Sequence, residues 1–261
     1  MRGLLADTLA EALERKIVWV FLILTVLGVL MILGARVTDI SIQGENLDFS
    51  DMEGMFANPV LRVLNFFNHV LVFFAVLATA GLVPSMFIKG RADYYLSKPI
   101  SRSRLLVSRV AAIWVVYGAM MVLAVLALVV TVWLAFGHME LGVVSVLGIH
   151  LLAFLIWLSI TTLAGIVGGS NSLSLITVFV VWLAQKLLSL HEYVEGLVNS
   201  EFVVNTVKVF YYILPKSDDI YDMVVPVASG GIVSWMPLYT SLLFAVVALA
   251  AAALVFRGKD Y

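Results

Sequence analysis

The sequence predicts an all-α integral membrane protein with six transmembrane helices, an N-terminal amphipathic helix at the interface and a short outer re-entrant helix before the last span. Three observations predict it. Hydrophobic residues make up 62% of the 261 and charged residues only 13%, against roughly 25% charged in an average soluble domain. The apolar residues gather into six stretches near the ~20 residues needed to cross the hydrocarbon core. The basic residues crowd on one side of the resulting topology, as the retention of Lys and Arg on the cytoplasmic side requires. The whole chain, 1–261, reads as one transmembrane domain.

Residues 1–16 form the amphipathic element. Leu5, Leu9 and Leu13 recur every four residues and stack on one helical face, while Asp7, Glu11, Glu14 and Arg15 lie off that stripe. Arg15 and Lys16 lead into the first span, 17–35, which suits a helix in the inner interface with its leucines toward lipid or neighbouring helices. A membrane anchor and a docking element are both compatible with this pattern. The run at 17–35 is longer than a signal-peptide core and no Ala-x-Ala site follows it, so it is expected to be retained. The first outer loop is acidic, with Asp39, Glu45, Asp48, Asp51 and Glu53.

The second span lies within 60–88 and is most apolar from Phe66 onward. Asn65, Asn68 and His69 sit on it at i, i+3 and i+4, near its outer end. Polar groups are costly in hydrocarbon, which makes these three candidates to line a path through the membrane. The plainer reading is hydrogen bonding across helices or to interfacial water.

Residues 89–104 form a basic cytoplasmic loop with an internal grammar. Residues 93–97 read as a short helix, Lys98-Pro99 ends it because proline disfavours the helical conformation of the residue before it, and Ser101 can cap the helix that follows. A rigid elbow of this kind presents a surface to a cytosolic protein. The alternative is that Lys98, Arg102, Arg104 and Arg109 only fix orientation and meet anionic lipid.

The third span covers 105–136, the fourth 141–167 and the fifth 173–190, with a glycine-rich tight turn at 168–172. Ser159, Thr161 and Thr162 are expected to bond back to their own helix, and Lys186, beside Gln185, can snorkel to the outer surface. The outer loop 191–235 contains an apolar run at 202–214. Its 13 residues reach about 20 Å as a helix, short of the ~30 Å core, so it is read as interfacial or re-entrant rather than as a seventh span. Pro215 stops it. Ser217 is expected to cap a further helix with Asp218 and Asp219 in its first turn, and these acids with Asp222 are read as a solvated loop in preference to a hard-cation site. The last span is 236–256. With the N-terminus inside, 11 of the 16 basic residues fall on the inner side, which makes both termini cytoplasmic in a multi-pass cell-membrane protein.

The run YYLSKPISRSRLL resembles the signature loop of type-2 ABC exporter permeases, and the arrangement around it is similar along the whole chain. That resemblance implies a coupling helix docking on a separate ATPase subunit through Asp93, Leu96, Lys98, Pro99, Ile100, Ser101, Arg102 and Arg104. It also implies a translocation path for which Asn65, Asn68 and His69 are the candidates. One departure is visible: Lys89-Gly90-Arg91-Ala92 stands where many relatives carry an acidic residue followed by Gly-Thr. ATP and Mg would sit on the partner, with no cofactor and no catalytic residue on this chain. A second permease subunit, identical or related, membrane lipid and an extracytoplasmic accessory protein are the other expected partners, and no nucleic acid is expected.

What the sequence lacks agrees with this division of labour. There is no GxxxxGK[ST] loop to hold a nucleotide, no Gly-x-Ser-x-Gly or His-Glu-x-x-His motif and no cysteine. A second class stays open, a membrane-anchor or haem-binding redox subunit, because His69 and His150 both fall toward the outer ends of their spans. His138 and His191 show no metal-ligand spacing with another His, Asp or Glu.

Overall fold

Lipid offers no partner to a backbone N–H or C=O, so apolar stretches of this length close their hydrogen bonds within themselves as helices. The computed structural model describes residues 2–14, 16–37, 41–42, 45–46, 59–87, 101–137, 142–188 and 201–259. Helix α1 covers Arg2–Glu14 and α2 Ile17–Val37, joined at Lys16 with a positive φ of 57°. Helix α3 covers Pro59–Thr79, α4 Arg102–Phe136, α5 Val143–Gly168 and α6 Asn171–Leu188. Then come α7, Glu201–Ile213, α8, Ser217–Asp222, α9, Val224–Ala228, and α10, Met236–Gly258. Ser41–Ile42 and Glu45–Asn46 pair antiparallel as a minimal hairpin between α2 and α3. Six of the helices are long and apolar enough to cross a membrane, and the protein is an all-α, multi-pass membrane protein.

Helix α5 is the axis of the bundle. Apolar residues are spread around its whole circumference, so it can be buried on several sides, and α3, α6, α9 and α10 all pack on it. The face α10 turns inward carries Ala245, Ala248 and Ala252, all buried, and small side chains at this spacing let two helix backbones approach closely. On the flank, α2 packs along α4, where Phe21 meets the edge of the Tyr117 ring at 6.3 Å. The opposite side of α2 exposes Trp19, Ile23, Leu27 and Leu30, as a surface that faces lipid would.

The second span does not stay helical to its end. After Thr79 it passes through a turn into a 3-10 segment, Pro84–Phe87; Pro84 has no N–H with which to continue the α-helical ladder. The turn between α5 and α6 falls where the glycines predict it. Gly169 adopts φ 61° and donates its N–H to the Gly165 carbonyl at 2.9 Å, and the Ser170 hydroxyl accepts from Leu173 N–H at 3.1 Å.

Helix α7 is the short apolar helix expected in the last long loop. It lies against α6 and α10 and ends two residues before Pro215. One local expectation is corrected next to it. Ser217 is the first residue of α8 and is buried, the cap position belongs to Lys216, and no side-chain cap bond is made there. Asp218 and Asp219 still lie in the first turn, where they complement the helix dipole. Lys216 itself is buried: its N–H donates to the Ser241 hydroxyl at 2.9 Å, and its ammonium donates to Thr240 at 3.2 Å beside the Tyr211 ring. Burial draws the Lys216 ammonium below the ordinary lysine range, and the nearby Asp219 carboxylate partly opposes this.

Helices α4 and α10 meet at one end of the bundle. The Arg102 guanidinium donates to the carbonyls of Arg257 and Lys259, and Arg257 Nε donates to the Ser103 hydroxyl at 2.6 Å. The Lys259 ammonium reaches the carbonyls of Ile166 and Val167. This is called the terminal end below, and the opposite one the distal end.

Candidate functional site

The distal end holds a cavity of about 640 Å³ between α3, α6 and the short helices α8 and α9, within the usual size range of small-molecule sites. Arg62, Asn65, Phe66 and His69 of α3 form one wall, Lys186 of α6 another, and Asp218, Tyr221, Asp222, Val225, Pro226, Ser229 and Gly231 the rest. At Gly142 the start of α5 passes so close to the Ala228 carbonyl that any Cβ would collide with it, which fixes α9 against α5.

Two of the three residues singled out on α3 line this cavity. His69 stacks on the Tyr221 ring at 3.9 Å, and Asn65 Nδ2 donates to the Tyr221 carbonyl at 3.4 Å, so together they hold α8 over the opening. Asn68 does not take part: it is fully buried and donates to the Leu64 carbonyl of its own helix at 2.8 Å. At about 100° per residue, positions 65 and 69 differ by only about 40°, whereas 68 and 69 differ by about 100°, which turns Asn68 into the bundle.

The remaining polar wall comes largely from residues that the sequence assigned to other roles, Lys186 to the outer surface and Asp218 and Asp222 to a solvated loop. Lys186, expected to snorkel, makes an ion pair with Asp218 at 2.8 Å while its side chain stays half exposed. Asp222 is exposed and has no ion-pair partner among the described residues; loss of water around it, and the neighbouring Asp218 and Asp219 carboxylates, push its pKa up. Arg62 is likewise exposed and unpaired among them. Burial pushes the Tyr221 phenol up as well, so it stays protonated. The signal for this wall was the DDIYD run, four residues carrying an acid or a phenol, whose acids were read as part of a solvated loop.

The histidine pair comes together in an unexpected way. His69 and His150 both pack on the Tyr221 ring, at 3.9 and 5.3 Å, and His150 Nδ1 lies 2.7 Å from the Val146 carbonyl of its own helix. A macrocycle ligated by both imidazoles would have to displace the buried Tyr221, so these residues do not fit a haem. Among the described residues no three His, Asp or Glu side chains gather in a way that would hold a metal ion. Ser159 and Thr161 bond back to their own helix at 2.6 and 2.9 Å as expected, whereas the buried Thr162 hydroxyl has no such bond.

The terminal end is built differently. Arg109 on α4 has no exposed surface, and its guanidinium meets Glu11 at 2.6 Å, Asp7 at 2.9 Å, the Thr8 hydroxyl at 2.9 Å and the Leu82 carbonyl at 3.4 Å. This corrects the reading of Arg109 as a lipid-facing charge of the loop. It also explains α1: its Asp7, Thr8 and Glu11 side is turned onto α4 by the buried guanidinium, leaving Leu9 and Leu13 half exposed on the outside.

Ser101, Arg102 and Arg104 of the expected coupling segment open α4. Ser101 is the cap, its hydroxyl accepting from Arg104 N–H at 3.4 Å. Arg102 is occupied by the carbonyls of the C-terminal stub, while Arg104 is exposed and its side chain is unpaired among the described residues. Asp93, Leu96, Lys98, Pro99 and Ile100 lie outside the described residues. No family model matches the chain, and no curated protein matches it either.

Proposed function

We propose that the chain is the transmembrane permease subunit of an ATP-driven exporter of the type-2 ABC class, energised by a separate ATPase subunit. The observation that carries this reading is the YYLSKPISRSRLL run between the second and third spans. Its last part opens the longest helix of the protein behind a serine cap. A capped, 35-residue helix that starts in a basic loop and runs to the other side suits an element through which force applied at the loop enters the bundle.

In this reading the termini and the loop are cytoplasmic, ATP and Mg are bound by the partner, and two permease subunits combine with two ATPase subunits. Solute moves as the helices alternate between packings, and the distal cavity is its outer station. The cavity supports this because charged and polar side chains line it at the end opposite Arg102 and the C-terminal stub. The anchor or redox alternative loses its main support with the Tyr221 ring packed against both histidines.

The test is co-purification of the tagged chain from its native membrane under gentle detergent, with Arg104→Glu as the informative variant. Arg104 is free to meet an acidic groove, whereas reversing Arg102 would also release the C-terminal stub. A co-purifying ATPase that Arg104→Glu releases, with unchanged thermal midpoint, is the expected outcome. Absence of any ATPase from a folded preparation, or an ATPase indifferent to the reversal, overturns the reading of the loop.

A further inference from the structure

We infer that the distal cavity binds a zwitterionic molecule, one anionic and one cationic group on a partly apolar body. This deepens the permease reading, on which its role as a transport site rests. Four charged side chains line the cavity. Two cancel each other, since Lys186 and Asp218 are paired at 2.8 Å. What remains is the Arg62 guanidinium at the start of the α3 wall and the Asp222 carboxylate at the end of α8, neither with an ion-pair partner among the described residues.

Charge complementarity then selects among ligands. A ligand that fills the cavity strips water from both unpaired groups, and an ion left without a counter-charge on desolvation is strongly penalised. A singly charged ligand satisfies one group and strands the other, and an uncharged one strands both. A ligand with an acidic group for Arg62 and an ammonium for Asp222 satisfies both with charge-assisted hydrogen bonds. Phe66, Val225 and Pro226 in the same lining give the body of the ligand an apolar surface.

Such chemistry has two sources, the head group of a zwitterionic phospholipid or a free soluble zwitterion, and the experiment separates them. The full chain, purified in an uncharged maltoside detergent, is titrated calorimetrically with dihexanoyl phosphatidylethanolamine, dihexanoyl phosphatidylglycerol, hexyltrimethylammonium and phosphoethanolamine. The expected result is binding of the phosphatidylethanolamine at least about tenfold tighter than either singly charged amphiphile. Arg62→Gln and Asp222→Asn should each weaken it about tenfold, the loss of one hydrogen bond to a charged group, while Glu14→Gln at the other end leaves it unchanged. Phosphoethanolamine binding as tightly as the lipid identifies a free zwitterion as the ligand, and a requirement for the chains identifies a lipid.

Equal binding of a singly charged probe, or no binding by a preparation whose thermal midpoint shows it folded, overturns the inference. Failure here with the ATPase still co-purifying removes the ligand class alone. Zwitterion binding without any ATPase removes the permease reading and keeps the site.

Discussion

The two ends of the bundle use charge in opposite ways. At the terminal end a guanidinium is sealed among two carboxylates, a hydroxyl and a carbonyl, and the packing around it leaves no room. At the distal end an ion pair and two charges without an ion-pair partner among the described residues stand around a hollow of about 640 Å³. The first arrangement fixes one geometry, because a buried charge tolerates only the partners it has. The second leaves charge available to something that comes from outside. Within one short chain, the difference separates a part whose charge is locked into packing from a part whose charge stands beside open space.

The largest effect expected to test this contrast is at Arg109. Arg109→Ala removes the guanidinium that pairs with the buried Glu11 at 2.6 Å, and breaking a buried pair should cost about 3–5 kcal/mol, read as a large drop in thermal midpoint in detergent. Arg109→Met combined with Glu11→Gln should recover much of the loss, since an apolar replacement of a buried pair is often close to neutral. A single variant within about 1 kcal/mol of the parent would mean that the terminal end is not locked by this network.

Next come two glycines of α5. A Cβ on Gly165 would lie 2.9 Å from the ring of Pro84 and 3.0 Å from the Ser174 hydroxyl, so Gly165→Ala should destabilise by about 1–3 kcal/mol. At Gly148, toward the distal end, a Cβ would meet nothing within 4 Å, and Gly148→Ala should instead stabilise by up to about 1 kcal/mol through helix propensity. Opposite signs in the two melting curves would sharpen the comparison, and equal signs would break it.

A smaller effect is expected at Lys186. Its pair with Asp218 is half exposed, and Lys186→Met should change stability by no more than about 1 kcal/mol.

The smallest effect is at Asp222. Its carboxyl is raised, so the folded state takes up the proton more readily than the unfolded chain, and stability falls as pH rises through the carboxylate range. Asp222→Asn should therefore melt slightly higher than the parent at neutral pH, and the gain should vanish as pH is lowered until the carboxyl is protonated in both states. A gain independent of pH would assign the effect to packing instead.

How much of this was legible in the sequence follows from distance along the chain. The six spans were, because the membrane imposes length and apolarity on each segment separately. So were the serine cap of α4 and the glycine turn between α5 and α6, both local devices. Asn65 and His69 could be picked from one helix by cost alone, but the residue they hold, by its carbonyl and its ring, is Tyr221, more than 150 positions later. Arg109 finds its carboxylates 98 and 102 positions earlier, and no spacing rule reaches that far. Its position at the edge of a basic loop made it look like one more exposed charge. Ser217 misled for the opposite reason: its local pattern was right for a cap, and tertiary packing drew it inside.

The length of α4 has a mechanical meaning. Its 35 residues measure about 52 Å, and Arg109 grips it about 10 Å from the loop end, leaving about 40 Å beyond. If α4 turned about that grip as a stiff rod, sliding past the helices packed along it, about 1 Å of sideways movement at its first turn would become about 4 Å at the far tip. In such a turn the buried guanidinium would be the fulcrum, and the position of one arginine would set the ratio of the two arms.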